Sequence, residues 1–532
     1  MRRITRREWL SGSLRWAAAA ALAPALTSCS RIQRARTNAH DSSVTVLYPY
    51  DELVFGPDGD MPAKFLVFMP LFALNRRGEL EGRLAESWEH SPDYRSWTIR
   101  LRHGVRWHDG VPVTAQDVKC YYDVYSAFAS YSSLDAPLSL NVLDDLTYSI
   151  TFHRQSQWFG NSGLNYFGTC LPKHVVKNLD PRECGGWDFW THPVGNGPYR
   201  HHRTVPKTFM EFRANPDYYW GKPKIERVVL KLAGDTMTGA VPELVSGGVD
   251  AVPYLNRADV LALAGDPRFR AYNQLGDGLP SVLFWNHRNE LFRDPNVRRA
   301  LTLGINRREL LQVLNLPPDT PVLDSLCSDR QMRRREFPEA FPYDPVRASH
   351  LLDDAGWQKR NPEGLRERSG RPFTFTALLT NRPFDPGPNA AIYVQAQLKR
   401  LGIKMNLDPT PSAMAYPRVN AGDYQAAFHI MPHSWEPDTR PWGVERFLHA
   451  AGYKTPRFAE LANRFRATFD PDEEDRLYGE LATLFREELP ATFLYPDVWT
   501  TVASRRIRGL EDAAYRGDLT WCMDQLWLEG LS

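Results

Sequence analysis

The chain has 532 residues, a hydrophobic fraction of 42%, a charged fraction of 24% and a formal net charge of +2. Five arginines and Glu8 fall within residues 1–28, so the remainder is close to neutral and gives no electrostatic case for nucleic acid. That length suits several domains with a sizeable core, and 16 Trp with 22 Tyr offer many flat faces for packing or for a ligand.

In chain order, the N-terminus reads as a targeting segment rather than as part of the fold. Thr5-Arg6-Arg7-Glu8-Trp9-Leu10 resembles a twin-arginine export signal, and the apolar residues 16–26 are too few to cross a bilayer. Leu26-Thr27-Ser28-Cys29 fits a lipoprotein processing box, with Cys29 as the expected lipid-bearing first residue after cleavage. Residues 30–42 are polar and unpatterned, as a tether would be. No later segment has the roughly 18 consecutive apolar residues of a spanning helix. The expectation is an exported, surface-tethered protein.

Residues 44–47 read as a first strand, and 65–74 as an apolar run for a core. Residues 96–101 (SWTIRL) alternate and are rich in β-formers, Val105-Arg106-Trp107 reads as a second short strand, and His108-Asp109-Gly110 as a turn. Thr114 and Asp117 form a capping box for a helix from Ala115 to about residue 130. Residues 146–152 alternate as a strand, and Cys170 and Cys184 are close enough in sequence to pair in an oxidising compartment. Cys120, Cys327 and Cys522 are too scattered for a framework or a metal site. Residues 225–232 and 282–286 read as strands, 297–311 as one amphipathic helix, and Asp344-Pro345 as the cap of another that ends at Gly356. The strand 373–379, the loop 380–389 and the helix 391–400 make a βαβ-type unit. Residues 477–485 read as a helix, 493–495 as a returning strand, and the aromatic tail 507–531 as a docked segment.

The order of residues from Leu84 to Val118 goes beyond generic physics. Leu84-Ala85-x-Ser87-Trp88, followed by W-x-I-x-L-R-x-G-V-x-W-x-D-G-x-P-x-T-A-x-D-V over residues 97–118, closely resembles bacterial extracellular solute-binding protein family 5, the peptide- and nickel-type receptors of ABC importers. Further matches are Leu171-Pro172-Lys173-His174, residues 193–199 (PVGNGPY, with Asn196 where Thr is usual), residues 215–223 (NPDYYWGKP) and Gly248-Val249-Asp250-Ala251. The two glycines of 193–199 read as allowing a tight turn. The resemblance implies an α/β, two-lobe periplasmic-binding-protein fold (type II) with an additional domain inserted in lobe one. Lobe one would be 43–84, 190–276 and 490–532, the insert 85–189, and lobe two 277–489, with the chain crossing a hinge near 276–280 and 488–492. It further implies capture of a ligand by lobe closure and delivery to the permease and ATPase subunits of an importer, by a monomer with no cofactor.

Two loops carry the expected ligand contacts. Arg382, in Asn381-Arg382-Pro383-Phe384 after a strand end, is similar to the arginine with which dipeptide receptors pair the peptide carboxylate; a guanidinium can do so through two parallel hydrogen bonds. An exposed loop arginine would look the same. Residues 432–439 (PHSWEPDT) resemble the family's D-x-P-D-P segment, with His433 where the ammonium-binding Asp stands; Trp435, Glu436 and Asp438 complete the candidate set. The leading ligand class is short peptides or peptide-like solutes. An oligosaccharide or other polar solute, or a sensory lipoprotein on the same fold, are the alternatives. No H-E-x-x-H, G-x-S-x-G, P-loop or C-x-x-C spacing occurs, so neither a catalytic constellation nor a metal site is expected.

Overall fold

The computed structural model describes residues 42–530 except 57–60, 75–79, 94, 129–136, 153–169, 235–236, 326–340, 382–386, 431–447, 469 and 512–517. Ten strands form one mixed sheet: β1 (Ser43–Tyr48), β2 (Tyr199–Val205), β3 (Phe209–Ala214), β4 (Arg227–Leu232), β5 (Ala251–Val252), β6 (Phe269–Trp285), β7 (Thr374–Asn381), β8 (Lys404–Pro411), β9 (Ala426–Ile430) and β10 (Ala491–Ser504). Their spatial order is β8-β7-β9-β6-β10-β5-β1-β4-β3-β2. At one end β8, β7 and β9 run parallel. In the other half β1 lies parallel between β4 and β5. Joining the two are β6 and β10, antiparallel and 17 and 14 residues long.

Alternation along β6 explains why the second half is covered on both faces. Leu283 and Trp285 point into a core with Phe375, Ala377, Met405, Phe428 and helices Pro295–Leu303, Pro345–Asp354 and Gly387–Arg400. Val282 and Phe284 point the other way, to helices Pro456–Ala467 and Pro471–Glu488. Strands buried on both faces read as continuous apolar runs, which is how VLFW at 282–285 appears. Leu47, Val252, Phe269 and Val502 anchor a separate core in the first half. A four-stranded antiparallel sheet, Ala85–His90, Ser96–Leu101, Thr147–Phe152 and Pro137–Val142 in that order, stands apart from the large one.

Several sequence expectations need correction. The stretch 297–311 is two helices, Pro295–Leu303 and Arg307–Val313. The first ends at Gly304, where a Cβ would sit 2.3 Å from Leu401 Cδ1, and the second is capped by the Asn306 side chain, which accepts from Glu309 N–H. Val105-Arg106-Trp107 forms no strand, only an isolated bridge between Arg106 and Pro112. Cys170 and Cys184 are both buried and carry no disulfide between them; Cys170 Sγ instead accepts from Asn196 Nδ2 at 3.3 Å. Gly195 and Gly197 are not at positive φ. Their lack of a side chain admits the backbone of Val67: a Cβ would lie 2.0 Å from Val67 O at Gly195 and 2.6 Å from Val67 C at Gly197.

Candidate ligand cleft

The register of the sheet fixes where loops can gather. Leu379 of β7 lies opposite Phe428 of β9, so the two strands end side by side at Asn381 and Ile430. The chain therefore leaves the same carboxyl edge after Asn381 and after Ile430, with Pro411 of β8 beside Asn381. Arg382 follows the first of these ends in sequence, and His433, Trp435, Glu436 and Asp438 the second; all five lie outside the described residues, as does Cys29. Ile430 in turn pairs with Ser281 of β6, next to the point where the β6–β10 register breaks between Leu275–Val498 and Pro280–Pro496.

The first half aims at the same place. Val252 of β5 pairs with Val502 of β10, and Leu255 N–H reaches Thr500 O, so β5 and its parallel neighbour β1 also end toward that break. In α/β sheets, ligands bind outside the carboxyl ends of parallel strands. Here two such edges, from two halves, converge on one crossing pair of strands.

Aromatic faces line the first-half edge. Tyr48 and Tyr50 stack at 5.9 Å, Tyr254 meets Trp499 edge-on at 5.6 Å, and Phe65 meets Trp521 edge-on at 4.3 Å. Tyr50, Tyr254 and Trp499 are half-buried, leaving ring surface for stacking. Asp518 braces this wall from behind. It is buried and accepts from Tyr48 Oη (2.6 Å), Tyr254 Oη (3.4 Å), Thr520 N–H (2.8 Å) and Thr520 Oγ1 (2.6 Å). Burial raises its pKa against the lowering effect of those donors. Sequence reasoning singled out Trp435 and missed this group; the only local signal was Tyr48-Pro49-Tyr50 at a strand end.

Arg257, the first residue of helix Arg257–Leu263, connects the two sides. Its Nε donates to Asn315 O at 2.6 Å, and its Nη1 donates to Asn273 Oδ1 (3.3 Å) and Thr500 Oγ1 (3.4 Å) on the crossing strands. Partial desolvation lowers its pKa. It forms no ion pair among the described residues.

The stretch 84–118 is scaffold. Asp117 accepts from Thr114 N–H (2.8 Å), Thr114 Oγ1 (3.2 Å), Trp107 Nε1 (3.3 Å) and Lys173 N–H (2.9 Å), fastening the turn, the helix and the Lys173 segment together. His108 is clasped by the glycine loop. Gly195 N–H donates to its Nδ1 at 3.2 Å, which leaves the proton on Nε2 to bond Gly197 O at 3.1 Å. Burial drives its pKa down to about 4. Among the described residues no group of His, Cys, Asp or Glu is placed to hold a metal ion, and no helix is long and apolar enough to cross a membrane.

Two α/β halves that share a strand pair and turn their strand ends toward it define a two-lobe receptor of the periplasmic-binding type. The family model for bacterial extracellular solute-binding proteins, family 5 (Middle), matches residues 79–454, and the chain belongs to that family. It is similar to the oligopeptide-binding protein AppA of Bacillus subtilis, 26% identical over 437 residues that cover 77% of each protein. The structure of AppA with a nonapeptide superposes with a TM-score of 0.72, covering 91% of this chain and 98% of that one at 22% identity. NikA of Brucella suis in complex with Fe(III)-EDTA superposes at 0.78, covering 91% and 100% at 20% identity.

Proposed function

We propose that the chain is the ligand-capturing receptor of an ABC importer, takes short peptides or peptide-like solutes, and hands them unaltered to a membrane permease. The observation that carries this reading is the convergence of the two carboxyl edges on the β6–β10 crossing, in a chain whose relative AppA is an oligopeptide-binding protein. Lobe one comprises 43–84, 190–276 and the chain after the second crossing, with 85–189 inserted, and lobe two begins at 277. The family resemblance puts the second crossing near 488–492; the packing of Leu494 and Tyr495 in the lobe-two core and the register break beyond them support a position a few residues later, at 496–498. Cys29 carries a lipid that tethers the exported receptor.

Within the cleft, Arg382 takes a ligand carboxylate, and Trp435 and the Tyr254–Trp499 wall stack on the ligand. His433 stands where family peptide receptors have a carboxylate. Neutral imidazole accepts one hydrogen bond and protonated imidazole repels an ammonium, so the preferred ligand is anionic or N-blocked. Calorimetry with matched free and N-acetylated dipeptides tests this; losing a charged hydrogen bond is worth about 10- to 150-fold in affinity. Tighter binding of free dipeptides, unchanged by His433→Ala, would place the ammonium elsewhere, at Glu436 or Asp438. Ligand recovered from purified protein and identified by mass spectrometry tests the class. The radius of gyration by small-angle scattering should fall when that ligand is added.

A further inference from the structure

Far from the crossing, where β7 and β8 begin, a cavity of about 350 Å³ opens between Gly304, the first two turns of helix Pro345–Asp354 and the end of helix Gly387–Arg400. Its volume is within the range of small-ligand sites. Gln397 forms part of its wall and is only 2% exposed, yet its Oε1 is buried with no donor among the described residues. A buried amide left unsatisfied costs stability and calls for a reason. Two guanidinium groups share the cavity. Arg360 is held by Gly364 O (2.8 Å) and Leu401 O (3.4 Å), so carbonyls position it without neutralising it. Neither Arg360 nor Arg400 forms an ion pair among the described residues, and no Asp or Glu lines the cavity. The nearest acid in sequence, Asp344, is turned to its own helix, accepting from Arg347 N–H at 2.9 Å. At the mouth Val346 is 67% and Tyr343 39% exposed.

We infer that this cavity is a second ligand site, for a phosphorylated polyol. The phosphate oxygens accept from Arg360 and Arg400 in the forked geometry that guanidinium offers. A neighbouring hydroxyl donates to Gln397 Oε1, the group that lacks a partner, once the amide turns out of the wall that now closes it off, and can accept from the same amide. The carbon chain covers Val346 and Tyr343. The site lies at the amino ends of β7 and β8, so it is separate from the proposed peptide cleft at their carboxyl ends.

Calorimetry on the purified chain with glycerol phosphate provides the test, with inorganic sulfate as a control that offers charge without a hydroxyl. Glycerol phosphate should bind and sulfate should bind at least about tenfold more weakly. Arg400→Ala and Gln397→Met should each weaken glycerol phosphate by about tenfold or more, while Gln397→Met melts at or above the parent temperature because a costly buried amide is gone. Flotation with phosphatidylglycerol vesicles separates two sources of the same chemistry: vesicle binding lost in Arg400→Ala identifies a lipid headgroup, and soluble binding alone a free phospho-polyol. Failure of both probes, affinity unchanged in both variants, or sulfate as tight as glycerol phosphate would each overturn the inference. A parent-like far-UV circular dichroism spectrum and a cooperative melt serve as the control for intact folding in every variant.

Discussion

His108 keeps its proton on Nε2 because Gly195 N–H occupies Nδ1, and burial holds its pKa down at about 4. The folded chain keeps it neutral while the unfolded chain protonates it near pH 6.5, so the unfolded state binds more protons across pH 4–6.5 and stability falls as pH falls through that window. His201 and His287 are lowered to about 4 as well, first by burial, and act with the same sign. Chemical denaturation of His108→Asn should therefore show a loss between pH 7 and pH 5 smaller by about 2 kcal/mol than in the parent. An equal loss in both would remove His108 from the titration. A second residue-scale test concerns Arg307 and Asp324, an ion pair in which both side chains are 2% exposed and Arg307 also donates to Leu323 O, Phe493 O and Phe341 O. Asp324→Ala strands a buried cation and should cost about 3–5 kcal/mol, whereas Arg307→Met with Asp324→Leu should recover most of it. Local chemistry of this scale was partly legible. The positive φ of Gly110 and Gly356, the cap at Asp344 and the Asp117 carboxylate on Thr114 N–H follow from neighbours within four residues; the other half of the expected Thr114 box does not form, because its hydroxyl donates to Asp117. Arg307–Asp324 and Asp518–Tyr48 were not, because their partners are 17 and 470 residues apart.

Element boundaries show the same division. The strand SWTIRL was read with its true ends, and β7, the helix after it and β8 form the parallel unit expected from their pattern. Strand β6 was read only from Val282, since its first part, FRAYNQLGDGLP, carries two Gly and a Pro and looks like a loop. Pairing with β10 along 269–275 overrides that weak propensity. The end of β7 before Arg382 was legible, while β9 at Ala426–Ile430 and the aromatic wall depend on which strands meet. Docking between elements is also where one methyl group matters most. Gly195→Ala would press Cβ against Val67 O and should cost about 3 kcal/mol, with loss of the His108 clasp. Gly265→Ala, where a Cβ meets nothing within 4 Å, is the matched control and should stay within about 0.5 kcal/mol in the same denaturation experiment.

On the scale of the molecule, attachment and capture are separable. Cys29→Ser should move the exported protein from the membrane fraction to the soluble one without altering ligand affinity measured by calorimetry, since residues 43–529 form a compact unit of their own. Retention of the variant on membranes would rule out the lipid. The join between the halves has a different consequence. Because it consists of two strands paired on either side of a short break, in place of a single loose linker, cutting one of them does not part the halves. A protease meets a short unpaired break there, between Leu275 and Pro280, flanked on both sides by paired backbone, and either half made alone would end in a long strand with a bare edge, an invitation to aggregate. The two lobes are therefore committed to fold, melt and be degraded together, however freely they bend.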